Sequence, residues 1–293
     1  VTMTVLLISV VVLLGLNLVM VSWAFGEWVW ARTRKASWRT AGQVLPPAAE
    51  PRQPTIIMVH GFGGSPLDLK PLAETLRDRG FKVVVPVVPG QIAAAFAYGR
   101  HRFSADRYLD WLENILAAET RHRGQRPFLV GFSMGATLAT IMAARGLSPR
   151  VVLLAPYYRL VLADGLMAAS AAVARYLVPV VPRLIKVGIN DPEGRRIYRP
   201  GTHLVCLRGF QHLRTLAECA EKQIVKIEVP IMVMTATQDS VADSDSVHQL
   251  FQTLPSASVE QCGRSNHALL YDADHQWVIE RVVRFIETPR DAS

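Results

Sequence analysis

Charge of either sign is missing from the first 26 residues, Glu27 being the first charged side chain. Cysteine is scarce as well: Cys206, Cys219 and Cys262 stand at wide, irregular spacing. That excludes a disulfide-scaffolded fold and leaves no C-x-x-C pair for metal or redox chemistry; free thiols fit a reducing compartment. Only 19% of the 293 residues are charged while 50% are hydrophobic, which excludes a disordered or highly solvated chain. Internal repeats are absent. No His/Cys/Asp/Glu cluster has metal-ligand spacing, so neither a metal nor another cofactor is expected. Acidic residues are the minority, 24 Asp+Glu against 32 Lys+Arg, a formal net charge of +8. No nucleic-acid-binding motif accompanies that charge, so no nucleic-acid partner is expected, and no obligate protein partner is evident.

What is present begins with concentrated apolarity. Within residues 5–21, 13 of 17 are Val, Leu or Ile, and at roughly −0.3 to −0.6 kcal/mol each they outweigh Ser9 and Asn17 on the membrane-insertion scale. A helix over residues 4–25 would be about 33 Å long, enough to cross a hydrocarbon core. Trp23, Trp28, Trp30 and Trp38 follow as an interfacial belt would, interleaved with Arg32, Arg34, Lys35 and Arg39. A cleaved signal peptide fits less well, because nothing basic precedes the run and Trp-Ala-Phe-Gly is a poor cleavage site. The expectation is a membrane anchor and basic flank over residues 1–40. The positive-inside bias then places everything after it on the cytoplasmic side.

Residues 41–54 carry four prolines and no hydrophobic period and read as a linker, with the folded domain at 55–290. Strand patterns at 55–60, 81–88, 127–131, 151–155, 231–236 and 258–262 alternate with helical patterns at 67–79, 106–119, 134–145, 244–254 and 273–287. Continuous apolar strands between helices predict an α/β fold, a mostly parallel sheet covered on both faces. Residues 157–228 break the rhythm and are expected to form an inserted lid; a longer crossover with an extra packed helix is the alternative. They hold 11 Lys+Arg against 6 Asp+Glu, with Arg195, Arg196 and Arg199 clustered. Such a basic stretch beside an apolar Ala/Leu/Val helix suits anionic lipid, and equally an ordinary solvated face.

The chemistry-bearing residues lie at the strand ends. Gly131-Phe132-Ser133-Met134-Gly135 matches G-x-S-x-G, a pattern that chance alone yields about 0.1 times in a chain this long. Its context sharpens it: a strand pattern precedes, and a helix with small residues at its start follows. A nucleophile elbow needs that arrangement, with Gly131 and Gly135 avoiding collisions at a strained turn. The helix N-terminus also offers N–H groups to a developing negative charge. Upstream, His60-Gly61-Phe62-Gly63-Gly64 follows the first strand of the domain and makes a turn whose backbone can face a substrate.

Together these motifs resemble the α/β-hydrolase superfamily over about residues 55–287. The likeness is greatest to the bacterial carboxylesterase, monoacylglycerol lipase, lysophospholipase and serine aminopeptidase group. The resemblance implies an oxyanion hole from the backbone N–H groups of Phe62 and Met134, with Gly61, Gly63 and Gly64 shaping the turn. His60 is then a turn-organising residue. It also implies a triad in the order Ser…Asp…His. Asp239, just past strand 231–236, is the candidate acid, with Asp243 as a rival better suited to capping the next helix. His267, in a loop after the last strand, is the candidate base, ahead of His248 and His275 on predicted helices. No antiparallel hairpin is legible before Thr55, so a trimmed sheet of about six strands is expected. The implied function is a serine ester hydrolase acting on a small acyl ester, such as a monoacylglycerol or lysophospholipid, held by its anchor at a bacterial inner membrane. An aminopeptidase or thioesterase with the same triad is the near alternative, and a non-catalytic anchored binding module the distant one.

Overall fold

A computed structural model describes residues 2–33, 37–38, 41–48, 52–91, 104–159, 161, 180–182, 188–198 and 204–288. The strands are β1 (Gln43–Leu45), β2 (Arg52–Val59), β3 (Phe81–Val85), β4 (Phe128–Phe132), β5 (Val151–Leu154), β6 (Val180–Pro182), β7 (Leu204–Cys206), β8 (Ile231–Ala236) and β9 (Ala257–Cys262). The helices are α1 (Thr2–Thr33), α2 (Lys70–Asp78), α3 (Ala105–Arg123), α4 (Met134–Ala144), α5 (Pro192–Ile197), α6 (Leu207–Glu221), α7 (Ser244–Phe251) and α8 (His275–Glu287).

Neighbouring side chains on a strand point to opposite faces, and here both faces are apolar. Ile57, Val59, Leu129, Leu153 and Val233 enter one buried layer, with α3, α4, α6 and α7. Ile56, Met58, Val130, Val152 and Met232 enter the other, with α2 and α8. Two covered faces explain why the strands read as unbroken apolar runs rather than as alternations. Seven strands form the main sheet in the order β1-β3-β2-β4-β5-β8-β9. All neighbours pair in parallel except β1, which runs antiparallel to β3 with Gln43 opposite Val85.

The sheet therefore has seven strands, not six, and the extra edge strand comes from the stretch expected to be a linker. Only three residues fit between Gly42 and Pro46, too few to show a period-two pattern, and Pro46 cannot extend the ladder. Likewise β2 starts at Arg52, ahead of Thr55.

Stretch 157–228 does not behave as one insertion. Its last part is α6, which buries Leu213, Leu216, Ala217 and Ala220 in the same layer as α4; it is the crossover helix leading to β8. Before it, β6 and β7 pair as a separate antiparallel ribbon, and α5 lies between them. Stretch 165–182, expected as an apolar helix followed by prolines, falls almost wholly outside the described residues, as does Arg199.

At the N-terminus α1 extends over 32 residues, and its described aliphatic side chains, among them Ile8, Val11, Leu14 and Leu18, are exposed. Among the described residues no helix is long and apolar enough to cross a membrane, so they give the expected span over 4–25 no support. Side chains 4–7, 10, 13, 21 and 24 of that span lie outside the described ones.

Candidate active site

The turn between β4 and α4 carries Ser133 with φ 53° and ψ −119°, a left-handed backbone that non-glycine residues rarely adopt. Strain of this kind costs about 1–3 kcal/mol and persists where the surroundings over-determine it. Here they do. The Ser133 N–H donates to the Leu154 carbonyl at 2.9 Å, and the Ser133 carbonyl accepts from Ala136 and Thr137 as α4 begins. The flanking glycines leave no room for a side chain: a Cβ on Gly131 would lie 2.3 Å from the Gly135 oxygen, and one on Gly135 would lie 2.1 Å from the Val59 oxygen.

Three strand ends bring the candidate triad together. Asp239 follows β8 and His267 follows β9, while Ser133 follows β4. His267 Nε2 lies 3.0 Å from Ser133 Oγ, and its Nδ1 lies 2.8 Å from Asp239 Oδ2. The other Asp239 oxygen accepts the N–H groups of Val241 and Ala242, both at 2.8 Å. Ser133 and His267 are buried and the Asp239 side chain is 1% exposed, so these polar contacts are shielded from water. The Phe132 ring packs obliquely on the imidazole, 5.2 Å between centroids.

The other candidates lie elsewhere. Asp243 caps α7 by accepting the N–H groups of Asp245 and Ser246. The His248 ring meets Thr235 Oγ1 at 3.0 Å, and that of His275 meets the Asp272 carbonyl at 2.8 Å.

The glycine-rich turn after β2 lies directly against the serine, since a Cβ on Gly61 would fall 3.0 Å from Ser133 Cβ. Phe62 follows in that turn. Met134 opens α4, where the first N–H groups have no intrahelical acceptor. Both remain candidate donors toward a developing oxyanion.

Two buried side chains brace the turn. His60 Nε2 accepts the Val88 N–H at 3.0 Å, which leaves the proton on Nδ1, donated to the Gly61 carbonyl. Gln91 accepts the Gly63 N–H at 2.6 Å and donates to the Tyr108 hydroxyl at 2.9 Å. Sequence reasoning missed Gln91, which carries no motif and no period.

Burial pushes the His60 imidazole down to about 4, partly offset by its bond to the Gly61 carbonyl. Between pH 6.5 and about 4 the unfolded chain binds a proton here that the folded one refuses. The His60 contribution to stability is thus whole above pH 6.5 and is lost as pH falls toward 4, reaching about 3 kcal/mol. The urea midpoint should accordingly drop less between pH 7 and 4.5 in His60→Gln than in the parent; equal drops would contradict the assignment.

Among the described residues no group of three or more His, Cys, Asp or Glu side chains is arranged to hold a metal ion. A surface cavity of about 550 Å³ lies on the far face, between α2 and α8, lined by Thr75, Ile279 and Val283 among others. It does not include Ser133.

Ser133, Asp239 and His267, the candidate nucleophile, acid and base, stand in that chain order on the carboxyl ends of a mostly parallel sheet, as the α/β-hydrolase plan has it, and the fold is that of an α/β hydrolase. The family described as serine aminopeptidase, S33, matches residues 50–274. The chain belongs to that family, and it is a hydrolase.

A thermostable monoacylglycerol lipase from a Bacillus species is 26% identical over 240 residues, covering 78% of this chain and 89% of that protein. Among solved structures, a soluble variant of the Saccharomyces cerevisiae monoglyceride lipase superposes with a TM-score of 0.72 at 15% identity, over 84% of this chain and 90% of that one. A bacterial membrane phospholipase A superposes with a TM-score of 0.58 at 17% identity, over 98% and 97% of the two chains. At these identities the structural likenesses establish the fold.

Proposed function

We propose that the protein is a serine ester hydrolase acting on small acyl esters of the monoacylglycerol or lysophospholipid kind. The observation that carries this reading is the imidazole of His267 set between Ser133 Oγ and Asp239 Oδ2, at 3.0 and 2.8 Å. In this reading His267 takes the Ser133 proton as Oγ attacks the ester carbonyl. Asp239 holds the imidazole with Nε2 toward the serine and stabilises its cation. The N–H groups of Phe62 and Met134 receive the oxyanion. Collapse expels the alcohol, which takes the proton from His267, and water then releases the acid by the same steps in reverse order. The monoacylglycerol lipase relative, alignable over most of its length, supports ester chemistry. The family's description as serine aminopeptidase supports amide cleavage by the same groups as a second reading.

Membrane attachment through α1 is part of the proposal, with the catalytic domain on the cytoplasmic side. It is supported by the 26 uncharged residues that open the chain and by the exposed aliphatic side chains of α1. The membrane phospholipase whose likeness extends over nearly the whole chain supports it too. Lipid contact is assigned to α1 rather than to the basic insertion. Arg195 bonds the carbonyls of Ile189 and Asn190, and Arg196 bonds Glu193, so both are engaged within their own segment.

One experiment addresses both parts. The full chain, expressed in bacteria and separated into soluble and membrane fractions, is treated with a fluorescent fluorophosphonate, with Ser133→Ala alongside. The expected result is one labelled 32.4 kDa band in the membrane fraction that survives alkaline carbonate and is absent from the variant. Purified enzyme should then cleave monoacylglycerols faster than amino-acid anilides. No label on the parent would sink the serine-hydrolase reading, label confined to the soluble fraction would sink the anchor, and faster anilide cleavage would favour the aminopeptidase.

A further inference from the structure

Segment 188–198, expected as part of a lid, is instead bonded to the turns around Ser133. The Asn190 side-chain amide donates to Gln238 Oε1 at 2.8 Å, in the turn that carries Asp239, and to the Arg264 carbonyl at 3.0 Å, in the loop that carries His267. Its backbone is held too. The buried Asp272 carboxylate accepts the N–H groups of Asn190 and Asp191, at 2.8 and 2.7 Å, and also that of Asn266 at 2.7 Å. At the far end of the segment the Tyr198 hydroxyl donates to Asp68 Oδ1 at 2.9 Å, just beyond the glycine-rich turn.

Asn266 is the crossing point. Its Oδ1 accepts the Ser240 N–H at 2.9 Å and the His267 N–H at 2.8 Å. One atom thus ties the residue after Asp239 to His267 itself. Its amide donates back to Asn190 Oδ1 at 3.2 Å. The contact is close enough that a Cβ on Gly188 would lie 1.9 Å from Asn266 Oδ1. A cover that opens and closes would have to break these bonds each time; a fixed strap would keep them.

We propose that Asn266 is a positioning residue that sets the separation of Asp239 and His267, held in turn by segment 188–198 acting as a fixed strap. The proposal rests on the reading of Ser133, Asp239 and His267 as the reacting groups. Asn266 touches none of the reacting atoms, so its effect is on alignment, to which proton transfer is steeply sensitive.

The test uses the full chain and a short, soluble ester, with rates expressed per fluorophosphonate-labelled site so that misfolded protein does not count. Asn266→Ala should lower kcat by about 10–100-fold with KM unchanged. Asn266→Asp keeps both the side-chain volume and the acceptor oxygen for the two N–H groups and should recover most of that loss, whereas Asn266→Leu keeps the volume alone and should recover none of it, a contrast that bulk packing does not produce. Asn190→Ala removes the strap's side-chain bonds without altering either loop. It should lower kcat by roughly 3–10-fold, again at constant KM, and it decides the matter if Asn266→Ala does not fold. Parent kcat in Asn190→Ala, or a raised KM at parent kcat as a substrate cover would give, overturns the proposal. So do equal losses in Asn266→Ala and Asn266→Asp. A parent protein that takes no label removes the serine-hydrolase reading and this proposal together, whereas the other failures remove this proposal alone.

Discussion

Ser133→Ala is expected to lower kcat/KM on a preferred ester by about 10⁴–10⁶-fold while leaving the urea midpoint nearly unchanged. The reasoning starts from geometry. Only an atom at the Oγ position, 3.0 Å from His267 Nε2, can both lose its proton to that nitrogen and reach a carbonyl held by the neighbouring N–H groups. Alanine keeps the turn and those N–H groups but has no nucleophile, so only the residual catalysis of binding and polarisation remains. Asp239→Asn should fall short of that, at about 10³–10⁴-fold. An asparagine amide facing Nδ1 favours the tautomer with hydrogen on Nε2, which then cannot accept the serine proton. Active-site-titrated kinetics on both variants would check the pair. If Ser133→Ala kept more than about a hundredth of parent activity, the nucleophile would lie elsewhere.

Much of this architecture was legible because it depends on short-range rules. Strand β8, with the bounds Ile231 and Ala236, is apolar at every position but Thr235, as befits a strand covered on both faces. The glycines around Ser133 were legible because steric exclusion leaves only one residue type. The misses have a different cause. Strand β1 is three residues long, below the length at which alternation shows. Helix α6 does carry a helical pattern, Leu213, Leu216, Ala217 and Ala220 at spacings of three, one and three, but a basic stretch expected as a lid concealed it. Gln91, Asn266 and Asp272 act through hydrogen bonds to backbone groups distant in sequence. Such bonds impose no period and no motif, so their roles appear only once the chain is folded.

Gly135→Ala carries the second large expectation, and it tests the fold and the site at once. The added Cβ would sit 2.1 Å from the Val59 oxygen and 2.8 Å from the His60 oxygen. Both are backbone atoms, of β2 and of the residue that opens the glycine-rich turn, so no side chain can swing aside. Relief requires the first turn of α4 to move off the sheet. That helix is buried along almost its whole length, so moving it opens a gap against the sheet and crowds α3 and α6, which pack against it. A destabilisation of about 3 kcal/mol or more is expected. In whatever folds, the displaced Met134 N–H and Ser133 Oγ should lower the fluorophosphonate labelling rate by at least about 100-fold. Gly263→Ala supplies the comparison: nothing lies within 4 Å of its Cβ position, and its stability should stay within about 0.5 kcal/mol of the parent. Urea midpoints and labelling rates of the two variants, measured side by side, separate the idea that glycine is needed for close approach from the idea that any small residue suffices. If Gly135→Ala matched Gly263→Ala in both, the contact between α4 and β2 would have to be looser than 2.1 Å implies, and the strain at Ser133 would need another source.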